Sequence, residues 1–393
     1  MGKRTFVDIR RIASYNSLYN GWRLVSTGDG KDERRDVIEF GKNLKANLKD
    51  LQRRLLDGTW EPDPGKSFYL ETENKIREIH TVGVEDRIVH QTLVYHFALQ
   101  KRFVNRTFGS IKGRGTLRAN KQVRKDLHRS GFRYALKLDV RKYYPSINKD
   151  KLMNEIRRKY KGEAAIAILE KVIRAYKPEL ETGVSIGALT SQNNGNFYLT
   201  PFDYFVLEVL GAKYYVRYVD DIVILVEDKK QGERIIRRVQ EFLMGYGLVL
   251  GKIALFPIDK RRIDFCSYAV NKENVRLRKG ILKRFVRKLR DLKKHPQEGM
   301  YERSCVCSYL GFLKYCDSNN ILKVLKDEYG EVFMRIDRYA KKRRSEENDA
   351  SCSTAGTERV QTFLQPQKRR RRPGYNRRGN RGTRHKVCFN PGC

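Results

Sequence analysis

The stretch that decides the fold is residues 214–226, which read Tyr-Tyr-Val-Arg-Tyr-Val-Asp-Asp-Ile-Val-Ile-Leu-Val. Two strongly apolar arms surround Asp220 and Asp221, which is the pattern of a buried antiparallel hairpin whose tip carries two carboxylates. Aspartate is also common in ordinary turns, so the pair alone fits either a functional site or a plain turn. The neighbouring sequence has to decide between these two interpretations.

A second carboxylate-bearing strand is predicted at residues 134–140, Tyr-Ala-Leu-Lys-Leu-Asp-Val. Large apolar side chains recur at every second position, so Asp139 faces away from its neighbours in a half-buried strand. Nucleotidyl transfer uses two divalent cations about 3.5–4 Å apart, and magnesium takes oxygen ligands. Two strands that bring Asp139 beside Asp220 and Asp221 would supply such ligands, so the three carboxylates predict a dinuclear metal site.

The charge balance points to a polyanionic partner. The chain has 393 residues, of which 83 are Lys or Arg and 46 are Asp or Glu, and its formal net charge is +37. Such a charge opposes compaction unless polyanions bind it. A solvated basic surface or attraction to anionic lipid would also fit the charge alone. The 22 Tyr and 18 Phe residues can stack on bases, and they favour nucleic acid.

Hydrophobic periodicity predicts a mixture of helices and strands. Two prolines restrict the segment Gly58–Pro64 to a loop, and a further short strand is predicted at 263–270. Amphipathic helices are predicted at about 37–56, 86–103, 150–175, 195–210, 235–243 and 277–294. The last of these carries many Lys and Arg residues on one face, which fits either a solvated surface or contact with a phosphate backbone.

The C-terminal region differs in composition from the rest of the chain. In residues 343–393 arginine clusters replace apolar residues, so this basic tail cannot bury enough surface to offset its ordering entropy and is predicted to be disordered. Its last residues include His385, Cys388 and Cys393, which hint at a zinc knuckle but lack a clear fourth ligand.

Cysteine usage and hydropathy indicate the compartment. The seven cysteines form no regular framework and are interpreted as reduced thiols. The N-terminus lacks the apolar run of a signal peptide. The longest aliphatic run, Ile222–Val226, is too short to span a bilayer. We therefore expect a soluble, cytoplasmic protein without membrane association.

The segments around the three carboxylates resemble one enzyme family. Tyr218–Asp221 resembles the catalytic box of reverse transcriptases, and residues 138–147, Leu-Asp-Val-Arg-Lys-Tyr-Tyr-Pro-Ser-Ile, resemble their first palm motif. Other segments between about 30 and 335 resemble further motifs in the family's order: the fingers segment of intron-type and bacterial enzymes at 75–91, a second fingers motif at 108–115, a weak fourth palm motif at 247–252 and a primer grip at 265–268.

The resemblance implies an α+β fold of the right-hand polymerase type, with helical fingers, a palm built on an antiparallel sheet and a helical thumb. The implied boundaries are 1–130 for the fingers, 131–270 for the palm and 271–342 for the thumb, with 145–210 divided between fingers and palm helices. The implied activity is that of an RNA-directed DNA polymerase, which copies a template RNA into cDNA from a DNA primer with dNTPs.

The resemblance also implies different roles for the carboxylates. Asp139 and Asp220 would each ligate two Mg²⁺ ions, for which Mn²⁺ can substitute, and the Val140 carbonyl would be a further ligand. Asp221 would support the site and contact metal less directly. A non-catalytic RNA-binding protein on a polymerase fold is the alternative from another class, and the three intact carboxylates argue against it.

Several side chains are implied to contact the incoming nucleotide. Tyr144 matches the aromatic steric gate that leaves no room for a ribose 2′-hydroxyl, whereas the neighbouring Tyr143 is better interpreted as packing. Arg77 matches the arginine that clamps the triphosphate, a task that suits its forked, permanent charge. Lys75 and Arg114 are candidates of the same kind, although either also fits a surface cation.

Two palm segments complete the resemblance. The residues implied to form the primer grip are Phe265, Cys266, Ser267 and Tyr268. Lys252 stands where the family has a general acid, but the local sequence Gly-Lys-Ile-Ala departs from the usual motif. The assignment of Lys252 therefore stays open.

The loop before the second palm helix indicates which subgroup of reverse transcriptases the chain resembles. Group II intron and retron enzymes usually carry a Gln-Gly pair before the second palm helix, whereas residues 183–193 read Gly-Val-Ser-Ile-Gly-Ala-Leu-Thr-Ser-Gln-Asn. The Ser191–Gln192 pair is similar to that of reverse transcriptases from diversity-generating retroelements. Ser191 could equally cap a helix, and both interpretations can hold at once. In this subgroup Ile186 and Gln192 would lie beneath the nascent base pair.

The subgroup implies error-prone copying, chiefly opposite template adenines, of a dedicated RNA for the diversification of a target gene. It also implies a bacterial or phage-encoded enzyme that works with a small, basic, oligomeric accessory protein. The nearest alternative is a group II intron or retron-like reverse transcriptase of ordinary fidelity.

Overall fold

The computed structural model describes residues 3–28, 30–72, 75–129, 131–297 and 299–353, with the backbone alone at 72, 75 and 342–353. The chain divides into two compact units, residues 1–336 and 337–393, and all the predicted site residues belong to the first. Within the described ranges no helix is both long enough and apolar enough to cross a membrane.

The described residues form both helices and strands, which confirms the mixed helix-and-sheet class of the prediction. The α-helices are α1 (Ile9–Ile12), α2 (Tyr15–Ser26), α3 (Arg35–Lys42), α4 (Leu44–Leu56), α5 (Val84–Phe97), α6 (Thr116–Arg129), α7 (Tyr143–Ser146), α8 (Lys149–Lys159), α9 (Glu163–Ala175), α10 (Leu189–Tyr198), α11 (Thr200–Tyr204), α12 (Lys229–Gly245), α13 (Lys279–Lys294), α14 (Met300–Leu313), α15 (Asn319–Glu328) and α16 (Gly330–Ser353). A 3₁₀-helix spans Leu99–Arg102, and a π-helix spans Phe205–Val209.

The strands form one large sheet and several small ones. They are β1 (Thr5–Phe6), β2 (Lys66–Thr72), β3 (Lys75–Thr81), β4 (Thr107–Phe108), β5 (Tyr134–Val140), β6 (Tyr160–Lys161), β7 (Tyr215–Tyr218), β8 (Asp221–Val226), β9 (Leu250–Pro257), β10 (Ile263–Phe265), β11 (Tyr268–Val270) and β12 (Val275–Leu277). The small sheets pair β1 with β6, β2 with β3, and β10 with β11 and β12.

The large sheet has the strand order β4-β7-β8-β5-β9. β4 runs parallel to β7, and the other neighbouring pairs are antiparallel. β7 and β8 are the two arms of the predicted hairpin, so that prediction is confirmed. β5, the predicted strand at 134–140, lies beside β8 and places Asp139 directly opposite Asp221. The sheet thus joins two segments that are far apart in the sequence.

Each face of the large sheet is covered by its own hydrophobic core. One face buries Leu136 and Ile222 among apolar side chains that come mainly from the helices of the first half of the chain. The opposite face buries Ala135 and Val223 against α6, β10–β12 and the helices from α13 onward. Burial of one Leu or Ile side chain contributes about 1.5–3 kcal/mol. Because both faces are covered, polar side chains on these strands are enclosed as well.

Four of the predicted helices are interrupted. The helix predicted at 86–103 ends as α5 at Phe97 and continues after Ala98 as a 3₁₀-helix, because Ala98 has the left-handed φ +46. The helix predicted at 195–210 is divided among α10, α11 and the π-helix. The helix predicted at 37–56 lies within α3 and α4, which are separated at Asn43. The helix predicted at 150–175 is split into α8 and α9 by Gly162, which has φ +114 and lies so close to the Val7 carbonyl oxygen that a Cβ there would collide with it. This close approach lets β6 pair with β1.

The single strand predicted at 263–270 is wrong, because the segment is a hairpin of β10 and β11. Its turn residues, Cys266 and Ser267, have φ +45 and +75, in the left-handed region that residues other than glycine rarely adopt. Backbone strain of this kind clusters at functional sites. The hairpin tip is therefore unusual on conformational grounds alone.

The predicted tail is described only in part. Helix α16 continues to Ser353 and so passes the predicted thumb boundary at 342. Residues 354–393, including the group of His385, Cys388 and Cys393, lie outside the described residues. The predictions of disorder and of a zinc knuckle there stay predictions.

Candidate active site

The turn between β7 and β8 presents the Asp220–Asp221 pair from a strained backbone. Val219, the residue before the pair, has φ +57, which is rare for a β-branched residue. Gly109, at φ +87, lies so close that a Cβ there would be 2.9 Å from Cγ2 of Val219. The loop after β4 therefore fits against the turn only with glycine at this position.

Arg217 on β7 supports this turn from inside the protein. Its side chain and that of Asp203 are fully buried, and they form an ion pair with Nε–Oδ1 and Nη2–Oδ2 distances of 2.6 and 2.5 Å. Nη1 of Arg217 donates to the Val219 carbonyl oxygen at 2.9 Å. Burial alone would lower the pKa of Arg217, but the charge and hydrogen bonds of Asp203 hold it above its usual range. The strained residue is thus tied to a buried ion pair.

The ion pair belongs to a buried network that connects the turn to three other elements. Asp203 on α11 also accepts a hydrogen bond from the Thr107 hydroxyl on β4 at 2.8 Å. Asn196 on α10 accepts from Nη1 of Arg217 at 3.1 Å and donates to the Gly109 carbonyl oxygen at 3.0 Å. Sequence patterns missed this network, and its one local signal is an arginine within an otherwise apolar strand.

The three carboxylates differ in their surroundings. Asp139 and Asp221 face each other across β5 and β8, and Asp220 lies in the turn. Burial raises the pKa of Asp220, and the charge of Asp139 raises it further. The positive charges of Lys137 and Arg77 lower the same pKa. Asp139 and Asp220 are therefore close enough to repel each other.

The donor atoms of this cluster suit a hard divalent cation. Asp139 and Asp220 offer oxygen ligands, and a bound cation would relieve the repulsion that raises the pKa of Asp220. Val140 follows Asp139 at the end of β5, with its side chain in the core. As the side chains stand, no three His, Cys, Asp or Glu residues of the described chain lie close enough together to hold a metal ion. Asp221 has a different neighbour.

That neighbour is Lys137, which sequence patterns did not single out. Lys137 lies two residues before Asp139 on β5, forms an ion pair with Asp221, and has a side chain that is 20% exposed. Its Nζ lies 5.1 Å from the centroid of the Phe265 ring. Burial lowers the pKa of Lys137 to about 8, although the charges of Asp139 and Asp220 oppose this. The strand alternation, which puts a lysine on the side of Asp139, is the signal that could have revealed it.

Tyr143 and Tyr144 contact helix α10 in different ways. Tyr143 is buried and its hydroxyl donates to the Gly195 carbonyl oxygen at 2.5 Å, so it packs, as predicted. Burial raises the pKa of Tyr144 to about 12, and the nearby charge of Asp220 adds to this. Gly195 lies behind the ring, where a Cβ would be 3.2 Å from Cε1 of Tyr144. Glycine costs a helix about 1 kcal/mol relative to alanine, and this contact explains its presence.

The predicted nucleotide-binding cations have unlike surroundings. Arg77 on β3 is exposed, and its charge lowers the pKa of Asp220, so it lies near the carboxylates. The guanidinium of Arg114 instead donates to the Val104 carbonyl oxygen at 3.0 Å and thereby closes its own loop. The side chain of Lys75 lies outside the described residues.

The loop before α10 contacts the β2–β3 hairpin. The carbonyl oxygen of Ile186 accepts a hydrogen bond from the backbone N–H of His80 at 2.9 Å. Ser191 is buried and Gln192 is half-buried in the first turn of α10. The N-cap of this helix is Ala188, so the interpretation of Ser191 as a helix cap is wrong.

The predicted primer-grip segment approaches the carboxylates through its turn. Phe265 is buried, with the ammonium of Lys137 above its ring. Burial raises the pKa of Cys266 to about 12, while the charge of Lys137 lowers it. The hydroxyl of Tyr268 donates to the Phe312 carbonyl oxygen at 3.1 Å and so ties the hairpin to α14. The tip of the hairpin is thus anchored on one side and next to Lys137 on the other.

Lys252, the open candidate for a general acid, is exposed on β9. Its neighbour Gly251 leaves room for Asp139, because a Cβ there would lie 3.2 Å from Oδ2 of that carboxylate. β9 therefore meets the site through a glycine, and the role of Lys252 stays a prediction.

A comparison with protein families matches the part of the chain that carries this site. Residues 64–253 match the family model described as reverse transcriptase (RNA-dependent DNA polymerase). The matched segment includes the three carboxylates, Arg77, Tyr144 and the loop before α10. Residues 64–253 are thus similar to reverse transcriptase domains.

Individual proteins also resemble the chain. Protein YkfC of Escherichia coli (strain K12) is 24% identical over 177 residues, which cover 42% of this chain and 46% of that protein. The chain thus spans about half the length of this curated relative. Telomerase from Candida albicans, solved with a fragment of telomeric RNA, has 14% identity and a TM-score of 0.44, covering 70% of this chain and 55% of that chain. Apo telomerase from Candida tropicalis has 12% identity and a TM-score of 0.42, with 54% and 47% covered.

Proposed function

We propose that this chain is an RNA-directed DNA polymerase that extends a DNA primer along a template RNA with dNTPs. The observation that carries the proposal is the placement of Asp139 opposite Asp221, with Asp220 in the adjoining turn, inside the segment that matches reverse transcriptases. Converging carboxylates on neighbouring strands are what two-metal nucleotidyl transfer requires.

In this proposal Asp139 and Asp220 hold two Mg²⁺ ions, or Mn²⁺ in their place, with the Val140 carbonyl as a further ligand. When bound, the ions supply activation of the primer 3′-hydroxyl and neutralisation of the triphosphate charge. The chain itself supplies rigidity, since the buried bonds of Arg217 hold the turn and thereby keep Asp220 beside Asp139. Asp221, engaged in its own ion pair, supports the site.

The incoming nucleotide binds next to β3 and Tyr144. Arg77, whose charge reaches Asp220, clamps the triphosphate with its forked guanidinium. Lys75 assists from the same strand, and Arg114 contributes through the loop that it closes. The ring of Tyr144 fills the space that a ribose 2′-hydroxyl would need, so the site selects deoxynucleotides.

The growing duplex contacts two further segments. Ile186, Ser191 and Gln192, at the start of α10 and in the loop before it, lie beneath the nascent base pair. Residues 265–268 position the primer end from the β10–β11 hairpin. The proposed subdomains are fingers at 1–130 with part of 145–210, palm at 131–270 and thumb at 271–342.

We further propose that the enzyme is the mutagenic reverse transcriptase of a diversity-generating retroelement. The Ser191–Gln192 pair supports this, because it occupies the place of the Gln-Gly pair of intron and retron enzymes. Such an enzyme works in the cytoplasm of a bacterium, copies its template RNA with errors opposite adenine, and acts with a small, basic, oligomeric accessory protein.

Primer extension on a defined RNA tests the polymerase proposal. The purified chain with Mg²⁺ and dNTPs is expected to extend a DNA primer, and Asp220→Asn combined with Asp221→Asn is expected to abolish extension, because the turn then lacks carboxylate ligands. Extension by the doubly substituted protein would show that the site is misassigned. Binding of RNA without extension by the unmodified chain would favour the non-catalytic alternative.

Sequencing of the cDNA tests the subgroup. A mutagenic enzyme, with its accessory protein added, is expected to misincorporate mainly opposite adenine. A uniform, low error rate at all four bases would instead identify an intron-like or retron-like enzyme of ordinary fidelity.

A further inference from the structure

A partly buried charge beside the carboxylates has no part in the chemistry proposed above. Lys137 precedes Asp139 by two residues on β5, and its side chain is only 20% exposed. Removing an ammonium from water is unfavourable unless the ammonium is paired. The position of this lysine therefore calls for partners that stabilise its charge.

The ammonium has two partners on different segments. The first is the carboxylate of Asp221, which Lys137 reaches diagonally, since its direct cross-strand neighbour is Val223. The second is the ring of Phe265, whose centroid lies 5.1 Å from Nζ, within the range of a stabilising cation–π contact. Lys137 thus connects the catalytic hairpin with the β10–β11 hairpin.

This pairing separates the carboxylates into two groups. Asp220 lies in the turn directly before Asp221, and so at the end of β8 that faces Asp139. Asp221 lies opposite Asp139 in register, but its Oδ1 is in contact with Lys137. Two carboxylates are left for a divalent cation, and the third is occupied by an ammonium.

We propose that Lys137 is a positioning residue that holds Asp221 out of the metal-binding pair and ties it to the Phe265 turn. The inference rests on the proposed polymerase function. It gives a physical reason for the supporting role of Asp221, because the ammonium competes with metal for the same oxygen. Through Phe265, the same contact sets the spacing between the carboxylates and the turn that positions the primer end.

The proposal makes a distinctive claim about metal binding. Removal of Lys137 frees Asp221 to become a third carboxylate ligand, and affinity for hard cations rises with the number of charged ligands. Loss of the positive charge of Lys137 would also raise the affinity for the metal ion, but this effect would be the same when residue 221 is asparagine. A double-substitution cycle separates these two effects.

The experiment compares the full chain with Lys137→Met, Asp221→Asn and the double variant. Binding of Mn²⁺ is measured by isothermal titration calorimetry without nucleic acid or nucleotide. Lys137→Met is expected to lower the dissociation constant about tenfold when Asp221 is present, and by no more than about twofold in the Asp221→Asn background. Equal gains in both backgrounds, or no gain in either, would overturn the proposal.

The chain offers a matched control in Lys177. This lysine is ion-paired with Glu78 at 2.7 Å, and its Nζ lies 5.3 Å from the centroid of the Tyr176 ring, so it has the same kinds of partner away from the carboxylates. Lys177→Met is expected to leave Mn²⁺ binding unchanged. Lys137→Arg keeps the charge and should stay within about twofold of the unmodified affinity. Lys137→Gln takes the place of the Met variant if thermal melts show that the latter is unfolded.

Primer extension by the same proteins adds a second readout. Lys137→Met is expected to lower kcat about tenfold with little change in the KM for dNTP, because displacement of the primer end affects the reacting geometry rather than nucleotide binding. An unmodified chain that binds Mn²⁺ but never extends a primer would refute the polymerase proposal. A chain that extends primers but shows equal affinity gains would refute only the role of Lys137.

Discussion

Two ion pairs flank the turn between β7 and β8, and they are built in opposite ways. Arg217 and Asp203 are both 0% exposed, whereas the side chains of Lys137 and Asp221 keep 20% and 29% of their exposure. The guanidinium of Arg217 also bonds to the backbone of the turn and to helix α10. The ammonium of Lys137 contacts the Asp221 carboxylate and the Phe265 ring, and the charges of Asp139 and Asp220 also act on it.

The difference in burial indicates which ion pair is permanent and which one can lose its partner to a metal ion. A buried ion pair with several hydrogen bonds cannot lose a partner without leaving a charge in an apolar medium. A lysine near the surface keeps access to water, and a divalent cation can compete for its carboxylate. The first pair therefore suits the fixed geometry of the turn. In the proposed function, the second pair suits a site whose charge changes during the reaction.

Breaking the buried pair is the strongest test of this contrast. Arg217→Met leaves Asp203 as an unpaired buried charge and is expected to lower the free energy of unfolding by about 3–5 kcal/mol, measured by urea denaturation. Lys137→Met is the matched comparison, and its expected loss is about 1 kcal/mol or less because water screens the partly exposed pair. Equal losses in the two variants would contradict the proposed difference.

The buried network around Arg217 also extends to Tyr144, the proposed sugar gate. Asn196, a partner of Arg217, is preceded on α10 by Gly195, which lies behind Tyr144. Gly195→Ala is expected to push the ring toward the nucleotide and raise the KM for dNTP by about threefold to tenfold. Steady-state kinetics with dNTPs and rNTPs measure this effect.

Repeating Gly195→Ala in a Tyr144→Ala protein shows whether the change in KM depends on the ring of Tyr144. Tyr144→Ala is expected to admit ribonucleotides, and Gly195→Ala should then change nothing further, since there is no ring to displace. Gly311 on α14 has no neighbouring atom within 4 Å of the place that a Cβ would occupy, so Gly311→Ala serves as a neutral helical control. Additive effects of the two substitutions would remove Gly195 from the gate.

The smallest expected effect concerns the charge of Asp220. Burial, and then the charge of Asp139, raise the pKa of this carboxyl above 3.8 in the folded protein. Its stabilising contribution is therefore complete below the unfolded pKa and is lost as the pH rises through the folded value. Asp220→Asn is expected to raise the melting temperature at pH 7 in EDTA, and this gain should vanish toward pH 4. A gain that does not depend on pH would argue against repulsion between the carboxylates.

Some features of the site could be predicted from the sequence because they are local. The apolar arms around Asp220 and Asp221 predicted a hairpin, and the alternation at 134–140 predicted the strand of Asp139. Both are present, with Asp139 opposite Asp221. A period of two determines which face a side chain occupies, whereas the pairing of β5 with β8 is what brings the carboxylates together.

Other predictions failed where local signals were misleading. The turn at Cys266–Ser267 contains neither Gly nor Asn, so the sequence of this hairpin predicts one continuous strand. Ser191 has the side chain of a helix cap, but the helix begins earlier, at Leu189. In both cases contacts with distant segments override the residue's ordinary preference.

The sequence by itself determined the chemistry that is available: three carboxylates on two apolar segments, a basic chain, and motifs that match reverse transcriptases over 64–253. Only the tertiary structure decided how these carboxylates are divided, with Asp220 supported by Arg217 and Asp221 held by Lys137. The physical reason is that alternation along a strand assigns a face, whereas the partner of a buried charge depends on which strands are neighbours and in what register they pair.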